Sequence, residues 1–356
     1  MPYKTLRYQL GSRLLILACN LADSYEHSQS LTGVCAVPPN PSPTANSTPF
    51  RAYVVIVLAI VATSSAAILI RLALDEDMPP LLIACARLLI ATVALTPLVL
   101  RRYRETFARL ASKELKLIAL AGICLAVHFS AWVASLQYTT VLVSVVIVST
   151  GPIWVAILEV IFLHIRLSRL VILGLIVALF GGVVIGFPLQ GAFDVAQSTK
   201  DLNATITGAL LALVGALAVS VYMLIGRKLR TKLHVIPYVW LVYGVASVGA
   251  LLAIGLTATP VSGFRPQGYL VLLAMGLVPQ LLGHSSLNYL LEYFPAAMVS
   301  MFSQLEPIGS AVLALMLFQE LPPGKQIAGS AIIIIGVILA SRGEIRVSNI
   351  GGGNAD

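Results

Sequence analysis

The chain has 356 residues, of which 58% are apolar and only 11% are charged, and its mean hydropathy is +0.93. A soluble protein carries about 25% charged residues, so these values exclude a set of soluble domains and predict a protein solvated mainly by lipid. The net charge of +8 does not indicate a nucleic-acid partner, because the basic residues fall in short clusters between apolar runs, as is typical of membrane proteins.

Long apolar runs occupy most of the chain after residue 50. A helix needs about 20 apolar residues to cross a bilayer core. The predicted crossings are 52–74, 80–100, 115–136, 139–162, 168–187, 204–226, 235–257, 268–291, 295–318 and 325–341. The uncharged stretch 117–158 is too long for one crossing, so we expect two, joined by a tight turn near residues 138–140. The predicted fold class is an all-α polytopic membrane protein with ten transmembrane helices, whose first partner is the lipid bilayer.

The two ends of the chain differ from this pattern. The proline-rich segment 38–43 and the polar residues after it predict that 1–50 is a disordered N-terminal tail. A short apolar run at 14–18 before Cys19 leaves a weak signal-like or lipoprotein-like segment as an alternative. Residues 342–356 are predicted to form a C-terminal tail.

The basic residues predict the orientation of the crossings. Most of them fall on one side of the membrane, which we call the basic side. They are Lys4, Arg7, Arg13, Arg51, Arg101, Arg102, Arg104, Arg109, Lys113, Lys116, Arg166, Arg169, Arg227, Lys228, Arg230, Lys232, Arg342 and Arg346. The opposite side keeps Lys200, Arg265 and Lys325 with an acidic run at 75–77. We therefore expect a multi-pass protein of a bacterial-type inner cell membrane with both termini in the cytoplasm.

The chain resembles itself at a separation of about 155 residues. The matched pairs are Tyr138 and Tyr293, Pro152 and Pro307, Gly174 and Gly329, Gly181 and Gly336, and, after a shift of one residue, His128 and His284. The halves 51–187 and 204–341 then have five crossings each. Because five is odd, the second half enters the membrane in the opposite orientation. This predicts two inverted five-helix repeats joined by a loop at 188–203, as in many secondary transporters.

Short motifs in both halves resemble one family, the EamA-like drug/metabolite transporters. In the first half these motifs are Arg87-Leu88-Leu89-Ile90-Ala91, His128-Phe129-Ser130-Ala131-Trp132, Ser135-Leu136-Gln137-Tyr138-Thr139 and Ser149-Thr150-Gly151-Pro152. In the second half they are Gly283-His284, Asn288-Tyr289, Glu306-Pro307 and Gln319-Glu320-Leu321. The similarity covers about residues 51–341, and no single motif in it is diagnostic.

The resemblance implies ten helices in two inverted repeats around a central cavity, and export or exchange of small metabolites, often amino-acid-like or amphipathic. It implies no ATP-binding half, and the sequence has no G-x-x-x-x-G-K-[ST] loop, so we expect no cofactor. One departure is that Gly151 precedes Pro152 where Glu306 precedes Pro307, so the charge is present in one repeat only.

Two ionisable residues lie deep inside apolar runs, namely Arg87 and Glu306. Each costs about 2.5–3.5 kcal/mol to insert, and such residues are kept for function or because they are paired. We expect them to pair or to line one polar cavity, where Arg87 holds an anionic group of a small-molecule substrate and Glu306 exchanges a proton. The alternative is a buried ion pair that only fixes helix packing.

Polar residues form stripes on three of the predicted helices. The stripes are His128 with Trp132, Gln280 with His284 and Asn288, and Ser300 with Gln304. Residues four apart share a helix face, so these helices are predicted to face a common cavity. The predicted substrate-binding residues are Arg87, His128, Trp132, His284, Asn288 and Gln304, with His128 as a second candidate for proton coupling. The alternative is interhelical hydrogen bonding, worth about 0.6 kcal/mol per bond.

Other features have simpler interpretations. Pro152 and Pro307 are predicted to be hinges for alternating access, or else static kinks. The matched glycines indicate close helix packing within a protomer or between protomers, so a homodimer stays open. Glu159, near a helix end, is expected to extend to the membrane interface. No metal site is predicted, because the sequence has no CxxC spacing and the histidine pair lacks a third ligand.

The leading functional hypothesis is a secondary transporter that moves small metabolites by alternating access. Two other classes stay as alternatives. An intramembrane enzyme would need a paired nucleophile and base or clustered metal ligands, and the sequence has no HExxH and no G-x-S-x-G motif. An uncoupled channel or receptor would carry no gradient coupling.

Overall fold

The computed structural model describes residues 50–139, 141–186, 202–319, 321, 322 and 324–351. Nearly all of the predicted N-terminal tail, most of the loop 188–203 and the motif residue Glu320 lie outside the described residues. Every regular element of the described residues is a helix, and they contain no strand. The predicted all-α fold is therefore confirmed.

Each predicted apolar run corresponds to a helix or to a pair of helices in line. Crossings 1 to 5 are Phe50–Asp75, Pro80–Arg102, Ser112–Tyr138, Val141–Val148 with Gly151–Leu163, and Arg169–Gly186. Crossings 6 to 10 are Leu202–Arg230, Val235–Thr257, Pro266–Met275 continued by Gly276–His284 and Ser285–Leu290, Ala296–Ser303 with Glu306–Phe318, and Gly324–Gly351. The short helix Arg104–Arg109 joins crossings 2 and 3.

These helices have the length and composition of membrane crossings. Nine apolar segments of 18 residues or more are present in the described part of the chain, and crossing 5 is a tenth, shorter one. Crossing 3 ends at Tyr138 and crossing 4 begins at Val141, so the predicted tight turn is confirmed. The last helix continues to Gly351, ten residues past the predicted end of its crossing at 341. The chain is thus a multi-pass membrane protein.

Crossings 4 and 9 are each broken in the middle, at equivalent places. The breaks lie at Ser149 and Thr150, and at Gln304 and Leu305. The sequence places Pro152 and Pro307 inside continuous helices, but the structure places each in the first turn of a second helix. A proline is tolerated there because the first amides of a helix have no partner in the helix. The helix therefore stops before each proline instead of bending through it.

The contacts between crossings follow the repeat. Crossings 5 and 10, 2 and 7, and 4 and 9 pack as equivalent pairs. Other contacts correspond when each crossing is exchanged with its counterpart in the other half. The contact between crossings 3 and 6 corresponds to that between 8 and 1, the contact between 3 and 7 to that between 8 and 2, and the contact between 4 and 6 to that between 9 and 1. All six contacts are present. Even the left-handed residues that end crossings 4 and 9 correspond, since His164 and Gln319 have φ of 56° and 58°. The two-repeat architecture is confirmed.

The matched glycines join crossings 5 and 10 inside one chain. A Cβ on Gly174 would lie 2.5 Å from the carbonyl oxygen of Gly336, and one on Gly181 would lie 2.7 Å from that of Gly329. Distances under about 3.0 Å do not occur for real Cβ atoms, so the two backbones touch only because all four residues are glycines. Gly174 contacts Gly336, the counterpart of Gly181, and Gly181 contacts Gly329, the counterpart of Gly174. A twofold relation between the repeats requires this exchange.

Crossing 8 contains a π-helix over Gly276–His284, with Pro279 inside it. A π-helix inserts residues into an α-helix without ending it. His284, which aligns with His128 only after a shift of one residue, lies at the end of this π-helix.

Candidate functional site

Arg87 occupies the middle of crossing 2 and is 4% exposed. Its Nε donates a hydrogen bond to Oε1 of Gln280 on crossing 8, at 2.7 Å. Its guanidinium carbon lies 5.0 Å from the centre of the Phe129 ring on crossing 3, a cation–π distance. Its Nη2 is buried without a hydrogen-bond partner. A buried donor of this kind is costly unless an acceptor reaches it, so Nη2 is a donor that the protein itself leaves unsatisfied.

Glu306 opens the second half-helix of crossing 9, directly after the break. The amide end of a helix favours a negative charge. The carboxylate interacts with the Thr63 side chain of crossing 1 and is attracted by Arg87. Arg87 and Glu306, both in the described part of the chain, form no ion pair within 4.0 Å. The two charges therefore share one polar region without neutralising each other directly.

His128 and Trp132 lie on one face of crossing 3, as their spacing predicts. The Nδ1 of His128 lies 2.8 Å from the carbonyl oxygen of Gly215 on crossing 6. A carbonyl only accepts, so Nδ1 carries a proton, and Nε2 is an acceptor when the ring is neutral. The ring stacks on Trp132 with 6.3 Å between centroids and 15° between planes. The Nε1 of Trp132 is buried without a partner, and it is a second unsatisfied donor in this region.

His284 belongs to the same charged cluster, because it interacts electrostatically with Arg87 and with His128. The cluster thus combines side chains of crossings 2, 3, 8 and 9, taken from both repeats. This juxtaposition brings together Arg87, His128, Trp132, His284 and Glu306.

Asn288 and Gln304 hold helices together in this structure. Asn288 accepts a hydrogen bond from the Tyr222 hydroxyl at 2.7 Å, and donates to the His284 carbonyl at 2.7 Å and to the Tyr243 hydroxyl at 3.4 Å. Its amide thereby links crossings 6, 7 and 8. A direct role of Asn288 in substrate binding stays a prediction.

The Nε2 of Gln304 donates to the backbone carbonyl of Ser149 at 2.7 Å. In a continuous helix the amide of Ile153 would donate to this carbonyl, but it donates to the carbonyl of Thr150 instead. Gln304 therefore supplies the donor that the broken helix lacks. Ser149 and Gln304 are equivalent positions, and this bond joins the two breaks across the axis that relates the repeats. A role of Gln304 in substrate binding also stays a prediction.

Sequence reasoning missed three residues of the site. Gln280 was recognised only as part of a stripe, although it is the hydrogen-bond partner of Arg87. Phe129, under the guanidinium, has no signal in an apolar helix. Thr63, beside Glu306, belongs to the hydroxyl run Thr63-Ser64-Ser65, which is unusual in the middle of an apolar crossing and marks that face.

The expectation that Glu159 extends to the interface is wrong. Its side chain is fully buried, and its two oxygens accept hydrogen bonds from the backbone amides of Ala296 at 2.6 Å and Ala297 at 2.9 Å. These are the first amides of crossing 9, which have no partner within their helix. Glu159 therefore caps crossing 9 from crossing 4.

The geometry defines a class of protein. Two inverted helical repeats that enclose a charged site, next to breaks in equivalent helices, are the architecture of secondary transporters. The sequence model of the EamA-like transporter family matches this chain twice, over residues 50–187 and 206–342. The chain therefore belongs to the EamA-like transporter family, and the resemblance seen in the sequence is confirmed.

Two further proteins are similar to this chain. The chain is 27% identical over 210 residues to an uncharacterized transporter of Archaeoglobus fulgidus, covering 56% of this chain and 67% of that protein. It also superposes on a protein of known crystal structure with a TM-score of 0.69 at 18% identity, covering 84% of this chain and 99% of the other. At that identity the superposition shows the shared fold alone.

Proposed function

We propose that the chain is a secondary transporter that moves small metabolites bearing a carboxylate, by alternating access around the site at Arg87. The proposal rests on one observation above all. The Nη2 of Arg87 is buried between the two repeats and has no hydrogen-bond partner. Planar, charged donors of arginine match carboxylates. Amino-acid-like and other amphipathic acids are therefore the substrate class that this site favours.

Two donors would hold the substrate carboxylate. Arg87 offers Nη2, and Trp132 offers Nε1 from the neighbouring crossing. Gln280 already fixes the guanidinium through Nε, so little ordering is needed when the substrate arrives. The rings of Phe129 and Trp132 would contact the apolar part of an amphipathic substrate.

Glu306 would couple transport to protons. It lies in the middle of crossing 9, and it is the carboxylate whose charge acts on Arg87. A substrate carboxylate on Arg87 neutralises the charge of the guanidinium. Glu306 then loses the attraction that favours its charged form, and it takes up a proton. Nε2 of His128 is the alternative carrier, because Nδ1 is held by Gly215.

The breaks in crossings 4 and 9 would act as hinges. Each break lacks the regular bonds of a continuous helix, and the half-helices meet through the bond from Gln304 to Ser149. Exchange of the two repeats' conformations would open the site first to one side and then to the other. The basic side would face the cytoplasm and hold both termini, with export from the cell as the direction.

Counterflow in proteoliposomes tests this function. Purified protein is loaded with amino acids, other small carboxylates, nucleosides or small cations, with and without a pH gradient. We expect saturable exchange of a carboxylate class, loss of exchange in Arg87→Gln, and retention in Arg71→Gln, which removes an exposed arginine at the end of crossing 1. A current without saturation would support a channel instead, and chemical conversion of a solute would support an enzyme.

A further inference from the structure

The turn between crossings 8 and 9, residues 291–295, is held from two sides on the basic side of the protein. From crossing 6, Arg227 donates to the carbonyls of Leu291 at 2.6 Å and Glu292 at 3.0 Å. Arg230 forms an ion pair with the Glu292 carboxylate at 2.7 Å. From crossing 4, Glu159 binds the amides that follow the turn. Four crossings therefore meet at one short segment.

All three side-chain nitrogens of Arg230 donate hydrogen bonds. Its side chain is 1% exposed, its Nε donates to the carbonyl of Asn288 at 3.1 Å, and its Nη1 donates to the carbonyl of Leu233. Charge-assisted bonds of this kind are about twice as strong as neutral ones. The same Asn288 bonds with its side chain to Tyr222, to Tyr243 and to the carbonyl of His284, so this network continues to the helix that carries His284.

The positions on the opposite side that the repeat makes equivalent carry different residues. The repeat relates Arg230 to Asp75, Glu292 to Gln137 and Glu159 to Ala314. An acid thus stands in the place of the arginine, and a methyl group in the place of the buried carboxylate. Crossing 6 touches the helices on both sides of the turn 291–295 at a few residues, and the equivalent contacts of crossing 1 with crossings 3 and 4 are fewer still among the described residues.

We propose that Glu159 and the Arg230–Glu292 ion pair form a clamp that holds the basic side closed, so that the resting site opens to the opposite side. The inference rests on the proposed alternating access. The turn joins the two helices that carry His284 and Glu306, so each cycle must release the clamp before the site opens to the basic side. These residues position the helices and do not contact the substrate.

Hydrogen–deuterium exchange of the full chain in lipid nanodiscs tests the clamp. In Glu159→Gln and in Glu292→Gln, we expect exchange at 291–297 to rise about tenfold, the effect of losing one charge-assisted bond. At the turn 136–140 on the opposite side, we expect exchange to fall, because the closed side changes. Lys228→Gln removes an exposed charge from the same end of crossing 6 and should change neither.

Two results would overturn the clamp. Faster exchange at 291–297 with no change at 136–140 would mean that these residues only stabilise their own turn. Unchanged exchange at both turns would mean that the contacts carry no bias at all. Glu292 has a side chain that is 34% exposed, so its variant is expected to fold even if the Glu159 variant does not. The measurement uses no substrate, and a chain that fails in counterflow yet shows the reciprocal change contradicts the transport proposal and not the clamp.

Discussion

Gly181 and Gly182 are neighbours in crossing 5 but have different surroundings. A Cβ on Gly181 would lie 2.7 Å from the carbonyl oxygen of Gly329 and 2.8 Å from the amide of Ile333, both backbone atoms. A Cβ on Gly182 would meet nothing within 4 Å. Alanine at either position gains about 1 kcal/mol of helix propensity, but only Gly181→Ala has to push crossings 5 and 10 apart.

The propensity gain is the same for both variants, so it cancels when they are compared. What remains is the cost of overpacking, about 1–3 kcal/mol. We expect Gly181→Ala to melt several degrees below Gly182→Ala when purified proteins are heated and unfolding is followed by intrinsic fluorescence. Equal melting temperatures would refute the direct contact between the two backbones and, with it, the way the repeats are joined here.

Three further predictions concern the site and its surroundings. Glu306→Gln is expected to abolish stimulation of substrate exchange by a pH gradient in proteoliposomes, and a preserved response would remove Glu306 from the coupling. Gln304→Leu leaves the Ser149 carbonyl without its donor, and a loss of about 1 kcal/mol of stability in thermal unfolding is expected; an unchanged stability would contradict the link. Burial and the charge of Arg230 lower the pKa of His234, in the loop before crossing 7, to about 4. Because the unfolded histidine binds its proton already below about pH 6.5, stability should decline from there toward pH 4, and less so in His234→Gln; equal pH profiles would show that this histidine does not contribute.

The positions of the crossings follow from the sequence because lipid imposes a simple rule. Backbone amides in the bilayer are mostly bonded within their own helix, so a long apolar run marks a crossing. The repeat follows for a similar reason. Pro152 and Pro307 interrupt equivalent helices, and the paired glycines permit the same close contact twice. Both signals are local in the sequence and need no knowledge of neighbours.

Contacts between helices are harder to predict, because a single sequence does not show which helices meet. Depth in the sequence singles out Arg87 and Glu306, yet the direct partner of Arg87 is Gln280, a neutral residue. Glu159 lies near a helix end, where an interfacial position is the simplest expectation. Only the fold shows that another helix begins beside it and offers two free amides.

The central claim is that Arg87 binds a carboxylate of the transported solute. The most direct measurement compares exchange of small carboxylates with exchange of their primary amides, in proteoliposomes of the wild type, Arg87→Gln and Arg71→Gln. We expect the wild type and the Arg71 variant to exchange acids and reject amides, and the Arg87 variant to lose this discrimination together with the exchange of acids. Equal exchange of acids and amides by the wild type, or an undiminished preference for acids in Arg87→Gln, would contradict the account.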